Sequence, residues 1–549
     1  MDSEVRKQYE VWSQNVQEAY CIDELKRIAN NRKEIEDRFY RSLSFGTGGL
    51  RGIIGAGTNR MNVYTVGRVT FGLTEYLLET GGNSVVIAYD SRNKSAEFAH
   101  LVAGIASYRG IKSYLFSELT PTPVLSFAVR YLKASAGIVI TASHNPKEYN
   151  GYKVYNARGC QITDEVAKAI TEKINEFDYF NDFTPNESLI NVLDGNVERA
   201  FLDTIKEFSL TEITERNAPS VVYSPLHGTG RKYVQKILQE IGVKELHTVK
   251  EQEEPDGNFT TCPYPNPEEK AALSLALRDA EIYKPDLVMA TDPDADRIGI
   301  AVPDENGKYV LFNGNETGSV LLYYMLLKKA EAKGAGMRST VIKTIVTTDI
   351  VFGMAKEYGA EVKEVLTGFK YIGEALEETE NYLLGMEESY GYLVGTHARD
   401  KDAVSAAMMI AEACAYFKEK GKSLYAVLCE IYERYGYYKT DLQSISLPGK
   451  DGMAKMKEML TAIRKAPPVS IDGQMLAFDD FSAGLNGLPK SDVLRFLSED
   501  YRIIVRPSGT EPKMKIYLQV KGATREKAEE KLKIASAFVS QRLIVHENK

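Results

Sequence analysis

Three groups of residues in this chain have types and spacings that could do chemistry. The first is Thr141-Ala142-Ser143-His144-Asn145-Pro146, followed by Asn150-Gly151-Tyr152-Lys153. A serine hydroxyl beside an imidazole, with an amine a short way downstream, offers a nucleophile and two partners for proton transfer. The competing reading is a plain turn, because Asn-Pro often opens one and Ser or His there commonly bonds its own backbone. The second group is Asp292-Pro293-Asp294-Ala295-Asp296-Arg297. Carboxylates at alternate positions repel one another unless a cation lies among them, which points to a metal. An EF-hand is excluded, since Arg297 stands where that loop needs Gly and Pro303 where it needs Glu. Three carboxylates and a phosphate oxygen make a partial shell that magnesium accepts. A solvated acidic loop neutralised by Arg297 is the alternative.

The third group offers donors for anions and hydroxyls. Ser44-Phe45-Gly46-Thr47-Gly48-Gly49-Leu50-Arg51-Gly52 is glycine-rich, so its backbone N–H groups can approach an anion and Arg51 adds a fork-shaped donor. It lacks the Gly-Lys-Ser/Thr of a Walker loop, and a flexible turn fits it as well. Arg506-Pro507-Ser508-Gly509-Thr510 suits a phosphate monoester or a hairpin turn equally. Between them, Thr367-Gly368 precedes Gly385-Met386-Glu387-Glu388-Ser389-Tyr390-Gly391. Glu387 and Ser389 share a face if that loop is extended, and could meet sugar hydroxyls. His397, Arg399, Lys401 and Asp402 add charge that suits a phosphorylated sugar, although single charges are more often plain surface.

The elements that must position these residues are α/β in character. Gly137-Ile138-Val139-Ile140 and Leu287-Val288-Met289-Ala290 read as buried strands, which places Ser143 and Asp292 past strand ends, where open α/β sheets bind ligands. Three stretches repeat one design of strand, polar loop, helix, glycine stop and returning strand. They begin at Ser84, Val221 and Val341, and the helices stop at Gly110, Gly242 and Gly359. They predict three related βαβ-based domains. The last hundred or so residues read as a smaller α+β domain, with strands at 501–506 and 514–520 and a final helix over 524–543. Seams are expected at 178–191, 304–308 and 444–452. The spacing of Val11, Trp12, Val16, Tyr20, Leu25 and Ile28 predicts helix over roughly the first forty residues.

With 549 residues the chain is too long for one core, and at ~150 residues per domain it should hold three to five. Its 44% hydrophobic and 26% charged residues are those of a soluble globular enzyme. The net charge of −8 and the lack of a basic block argue against a nucleic-acid partner. The charged start and the absence of a long apolar run argue against a leader or membrane span, so cytoplasmic residence is expected. The five cysteines are scattered without a C-x-x-C pair and read as free thiols.

Taken in order, the serine motif, the Asp-Pro-Asp-Ala-Asp-Arg loop, the Glu-Glu-Ser loop and Arg-Pro-Ser-Gly-Thr-Glu-Pro resemble the phosphoglucomutase/phosphomannomutase family, the α-D-phosphohexomutases, from Ser44 to Lys515. The resemblance implies four domains around a central cleft, divided here as 1–200 for the phosphoserine, 201–308 for the metal, 309–440 for the sugar and 441–549 for phosphate. It implies a phosphoserine at Ser143, with Mg2+ held by Asp292, Asp294, Asp296 and Ser143. His144 and Lys153 would be acid/base groups, and Arg51 would lie near the transferred phosphate. Arg297, Thr367, Gly368, Glu387, Ser389, His397 and Lys401 would contact substrate, and Arg506, Ser508, Gly509 and Thr510 would bind the phosphate that is not transferred. The implied reaction interconverts α-D-glucose 1-phosphate and glucose 6-phosphate through glucose 1,6-bisphosphate, with sugar phosphates as the small-molecule partners. Met386 replaces the Gly that many members have before the Glu of the sugar loop, a form also similar to the phosphopentomutase-like branch, while Ser389 favours glucose. A pentose or mannose phosphate mutase, a phosphatase, and a silent sugar-phosphate-binding relative are the competing readings.

Overall fold

The computed structural model describes residues 2–46, 48–333, 338–447, 452–507 and 513–543. The chain divides into two units, Met1–Leu321 with Phe369–Leu424, and Leu322–Gly368 with Tyr425–Lys549. In the first unit, β1 (Leu50–Ile53), β2 (Ser84–Tyr89), β3 (Lys112–Phe116), β4 (Ala136–Ile140), β5 (Tyr149–Asn156) and β6 (Ile190–Leu193) form one sheet in the order β1-β5-β4-β2-β3-β6. Parallel pairing joins β4, β2, β3 and β6, whereas β5 runs antiparallel to β4 and β1. β2 and β4 are buried along their whole length, as uninterrupted apolar strands in a covered sheet must be. The helix Ser95–Tyr108 connects β2 to β3 and packs on both, the crossover that the glycine stop predicts.

The second sheet of this unit comprises β7 (Val221–Ser224), β8 (Leu246–Thr248), β9 (Leu287–Thr291), β10 (Ile298–Pro303) and β11 (Tyr309–Phe312), in the order β11-β10-β9-β7-β8. β10 and β11 are antiparallel partners joined by a turn in which Asp304 N–H donates to the Lys308 carbonyl at 2.9 Å. The stretch 304–308, where a seam is expected, forms the hairpin tip, and β11 after it pairs with β10 in this sheet. The stretch 178–191 likewise runs into edge strand β6.

The single N-terminal helix expected from periodicity is three helices, Ser3–Asn15, Ala19–Ile28 and Arg32–Phe39. The first break lies where Gln17 and Glu18 donate their N–H groups to the Tyr64 hydroxyl at 2.5 and 3.1 Å, a tertiary partner in place of a helical carbonyl. The apolar spacing survives because all three helices turn their faces onto one core around the buried Trp12.

Farther along, β12 (Thr340–Thr344) and β13 (Glu361–Val365) are parallel partners in the second unit, and β14 (Tyr382–Met386) and β15 (Tyr392–Val394) are an antiparallel pair in the first. The second unit continues with β16 (Tyr437–Ser446), a small hairpin of β17 (Ser470–Ile471) and β18 (Gln474–Met475), then β19 (Ala477–Asp480), β20 (Leu494–Leu497), β21 (Tyr501–Pro507) and β22 (Lys513–Gly522). These form an antiparallel sheet, β16-β22-β21-β20-β19, with the helix Arg525–Phe538 packed on it. β16 begins ahead of the boundary expected at 441 and occupies the start of the expected 444–452 seam. Lys343, at the centre of this unit, is wholly buried and lies 2.9 Å from both Asp349 and Glu364, which also receive Arg502.

Candidate active site

Ser143 sits in the loop between β4 and β5, where the apolar strand ends. Its backbone is left-handed, with φ of 52°, a conformation that a residue with a Cβ holds only when its surroundings impose it. The N–H donates to Thr141 Oγ1 at 2.8 Å, and Thr141 Oγ1 donates to Asp90 Oδ2 at 2.6 Å. The hydroxyl donates to Asp292 Oδ2 at 2.6 Å and lies 3.2 Å from His144 Nδ1. Burial holds the His144 pKa well below the usual range, and the Arg297 and Arg51 guanidiniums push it the same way, so the imidazole is neutral near pH 7.

Asp292, Asp294 and Asp296 occupy the turn between β9 and β10, and one oxygen of each lies within 4.8 Å of the others. All three are buried. Asp292 Oδ1 accepts the N–H groups of Asp296 and Arg297 at 3.1 and 3.0 Å, which folds the loop back on itself. Burial raises the Asp292 pKa well above the usual carboxylate range, and its two acidic neighbours add to the effect. Burial works against the Asp294 charge too, yet Lys153 and hydrogen bonds hold that carboxyl below its ordinary range. Lys153, on β5 opposite Val139, reaches Asp294 at 2.8 Å and Asp296 at 3.5 Å. Burial disfavours its charge, but these two carboxylates outweigh that and raise its pKa, so the amine stays protonated. Asp294 Oδ1 and Asp296 Oδ1 are buried and accept no hydrogen bond among the described residues. Buried carboxylate oxygens left in this state suit a hard divalent cation.

The sugar-loop residues come to the same place through backbone pairing. Arg297 and Gly391 form an isolated β-bridge, Ile298 N–H donates to the Tyr390 carbonyl at 3.1 Å, and Ala403 N–H donates to the Ala295 carbonyl at 3.2 Å. Lys401 thereby reaches Asp296 at 3.1 Å and Asp400 at 3.2 Å. A Cβ on Gly391 would lie 2.3 Å from the Lys401 stem, so only glycine leaves room for that side chain. The Glu387 carboxyl, buried close by, is pushed up to about 7 by burial, against the pull of Lys401 and with a further push from Glu388. The loop is a tight turn rather than extended, since Glu387 N–H donates to the Gly391 carbonyl at 2.9 Å. Glu387 is consequently buried while Ser389 is half-buried.

Other expected residues have varied surroundings. Arg51, on the exposed side of β1, donates to Asn145 Oδ1 at 3.2 Å in the serine loop. The N–H groups of Gly46 and Gly49, expected to face an anion, instead close a turn on each other's carbonyls at 2.9 and 2.8 Å. Gly49, with φ of 82°, lies so close to β5 that a Cβ would meet the Tyr152 carbonyl oxygen at 1.9 Å. Arg297 pairs with Glu268. His397 is buried against Phe201 and Phe208, with Nε2 2.7 Å from Asp402, the residue that caps the helix Ala403–Glu419. Thr367, Gly368 and Arg506 belong to the second unit, and Ser508, Gly509 and Thr510 lie outside the described residues. Sequence reasoning missed Asp90, Arg92, Thr122 and Asp400. Thr122 donates to Asp294 at 2.9 Å, and Asp400 accepts from Tyr155 at 2.7 Å. Asp90-Ser91-Arg92 follows the end of β2, the same kind of position as Ser143, and that was the available signal.

Four family models match the chain in order: phosphoglucomutase/phosphomannomutase alpha/beta/alpha domain I over residues 42–180, domain II over 199–307, domain III over 313–435, and the C-terminal domain over 450–537. The chain is 37% identical over 510 residues to a phosphoglucomutase of Staphylococcus haemolyticus, covering 88% of this chain and 91% of the relative. It is 36% identical over 521 residues to a phosphoglucomutase of Staphylococcus aureus, covering 90% and 93%. In fold it is similar to parafusin, a phosphoglucomutase of Paramecium crystallised in an open form, with a TM-score of 0.70 at 19% identity over 91% of this chain and 95% of the other.

Proposed function

Because this chain belongs to the phosphoglucomutase/phosphomannomutase family, matched across all four of its domain models, we propose that it is a phosphoglucomutase interconverting α-D-glucose 1-phosphate and glucose 6-phosphate. The observation that carries this reading is the Ser143 hydroxyl, held at a strand end against Asp292 of a buried three-carboxylate loop that Lys153 also enters. Ser143 carries the phosphoryl group. In the forward half-reaction the bond from phosphorus to Ser143 Oγ breaks as a bond to the free sugar hydroxyl oxygen forms, and the proton leaves that hydroxyl. The product is glucose 1,6-bisphosphate. In the second half-reaction its other phosphate passes to Ser143 Oγ, the serine proton leaves, and the sugar keeps one phosphate in its new position.

His144, neutral and 3.2 Å from the serine oxygen, is placed to accept a proton. Lys153, which keeps its charge, is placed to offset the negative charge that builds on the departing oxygen. Asp292, Asp294 and Asp296 would hold Mg2+ together with an oxygen at Ser143. When bound there, the ion offsets charge on the transferring phosphoryl group. Glu387, Ser389 and Lys401 orient the sugar hydroxyls, and Arg297 and Arg51 add positive charge near the phosphoryl group. Thr367 and Gly368 contact substrate, and Arg506 with Ser508, Gly509 and Thr510 takes the phosphate that is not moving. His397 fixes Asp402. No helix among the described residues is long and apolar enough to cross a membrane. We place the enzyme in the cytoplasm, acting on free sugar phosphates.

Initial rates with magnesium and a trace of glucose 1,6-bisphosphate, on glucose 1-phosphate, mannose 1-phosphate and ribose 1-phosphate in parallel, test this. Glucose 1-phosphate should be the preferred substrate and chelation should stop the reaction. A preference for ribose 1-phosphate keeps the chemistry and overturns the sugar, and release of inorganic phosphate would make the protein a phosphatase.

A further inference from the structure

Ser143 lies in a turn closed by the Asn145 N–H donating to the Ala142 carbonyl at 3.1 Å, and groups outside the loop hold that turn in place. A left-handed backbone at a residue with a Cβ costs of the order of 1–3 kcal/mol and persists only when neighbours over-determine it. The neighbour that does so is Arg92, a buried residue that the reaction itself does not use. Its Nη2 donates to the carbonyls of both Ser143 and Asn145, and its Nη1 donates to the carbonyls of Pro146 at 2.8 Å and Tyr149 at 3.1 Å. One guanidinium thus holds three carbonyls of the loop between β4 and β5 and the first carbonyl of β5. With its four terminal N–H groups committed in this way, Arg92 has none left for a phosphate. Its Nε lies 3.3 Å from Asp90 Oδ2, the oxygen that accepts from Thr141, whose hydroxyl in turn accepts the Ser143 N–H. The pair Asp90–Arg92 therefore grips Ser143 from both its N–H and its C=O side.

A strap from the second sheet's side seats this pair. The Phe259 ring lies over Arg92, 4.9 Å from Cζ. The strap approaches so closely that a Cβ on Gly257 would stand 2.7 Å from the Asn93 nitrogen. His227 anchors the strap with both ring nitrogens, at 2.9 Å from the Glu254 carbonyl and 2.8 Å from Thr261 Oγ1. Two residues on, Thr229 N–H donates to the carbonyl of Pro293 inside the three-carboxylate loop at 2.8 Å. The same segment thus touches both the support of the serine and the backbone of the acidic loop.

We propose that Asp90, Arg92 and Phe259 are positioning residues that fix Ser143 in its left-handed conformation with Oγ aimed at Asp292, and so set the rate of phosphoryl transfer without touching substrate. This rests on Ser143 being the phosphoryl carrier. Arg92→Lys keeps a cation opposite Asp90 but cannot span four carbonyls, and Phe259→Leu keeps apolar volume while removing the ring face. Two readouts apply to each variant: kcat and KM on glucose 1-phosphate, and the rate at which glucose 1,6-bisphosphate phosphorylates Ser143, followed by intact mass. Misplacing the nucleophile should lower kcat and the phosphorylation rate of Arg92→Lys together by about 100-fold, with KM within about threefold. Phe259→Leu should lower both about five- to tenfold. Wild-type kcat in Arg92→Lys, or a loss carried by KM alone, overturns the proposal. If Arg92→Lys does not fold, Phe259→Leu decides, and wild-type kcat there overturns it. A wild-type protein that takes no phosphoryl group on Ser143 overturns the enzymatic reading itself, and the proposal with it, before any variant is compared.

Discussion

Ser143 and Asp292, 149 residues apart in the chain, share a hydrogen bond of 2.6 Å that joins the first sheet's loop to the second's. The hydroxyl is nearly inaccessible, and its stability role is confined to that contact and to His144. Ser143→Ala should abolish mutase turnover while costing no more than about 1–2 kcal/mol in stability, as measured by coupled assay and urea unfolding. Retained full activity would remove the serine from the mechanism.

Asp294→Asn should weaken divalent-metal binding, because Lys153 holds the Asp294 carboxyl in its ionised form. Titration with Mn2+, followed by paramagnetic resonance, is expected to show at least about a tenfold weaker site, since removing a charged ligand costs more than about 1.4 kcal/mol. Unchanged affinity would place the metal elsewhere.

Glu387 gives a pH signature. Its pKa in the fold is about 7, above the 4.5 of the free side chain, so the folded state takes up a proton more readily than the unfolded chain. Its contribution to stability is complete below pH 4.5 and is lost as pH rises to about 7, by roughly 3 kcal/mol. Across that window wild type should lose stability relative to Glu387→Gln, as read by calorimetry at several pH values. Sugar-phosphate affinity should move the opposite way, improving through pH 7 in wild type as the carboxylate forms. A pH-independent difference between the two proteins would contradict the buried carboxyl.

Arg506→Ala should weaken substrate binding by about 1.5–3 kcal/mol, the usual value of a charge-assisted contact, and appear as a raised KM. An unchanged KM would take phosphate binding away from the last domain.

Lys343→Met leaves Asp349 and Glu364 sharing Arg502 in the second unit, with Arg495 3.6 Å from Glu364. Removing one member of a buried ion cluster costs about 3–5 kcal/mol, so the urea midpoint followed by circular dichroism should fall clearly. A shift of less than about 1 kcal/mol would mean that water reaches the cluster.

The parts of this site that were legible in the sequence are those in which residue type and strand end coincide. Ser143 after Ile138-Val139-Ile140 and Asp292 after Val288-Met289-Ala290 needed only local pattern, and β5 carried Lys153 back because a hairpin follows. What was illegible depended on partners distant in sequence. Tyr64 breaks the first helix from 46 residues away, Arg92 acts on carbonyls that carry no side-chain signature, and His397 looked like a charge for substrate until Asp402 and two aromatic rings enclosed it. The extended reading of the Glu387 loop failed because period-two patterning does not reveal that Gly391 closes a turn.

The backbone bridges between Arg297 and Gly391 and between Ala295 and Ala403 have a consequence for the catalytic cycle. They stitch the acidic loop to the sugar loop, so the transfer station cannot travel along the sugar from one carbon to another. In the proposed reaction the ligand itself would somersault, presenting first one end and then the other to Ser143. Each tumble loosens its grip and gives a passenger with two phosphates the chance to escape. An escaped bisphosphate leaves the serine bare, and a bare enzyme can be re-armed only by capturing another. Turnover should then stall on dilution and restart with trace bisphosphate, a dependence set by two short stretches of paired backbone.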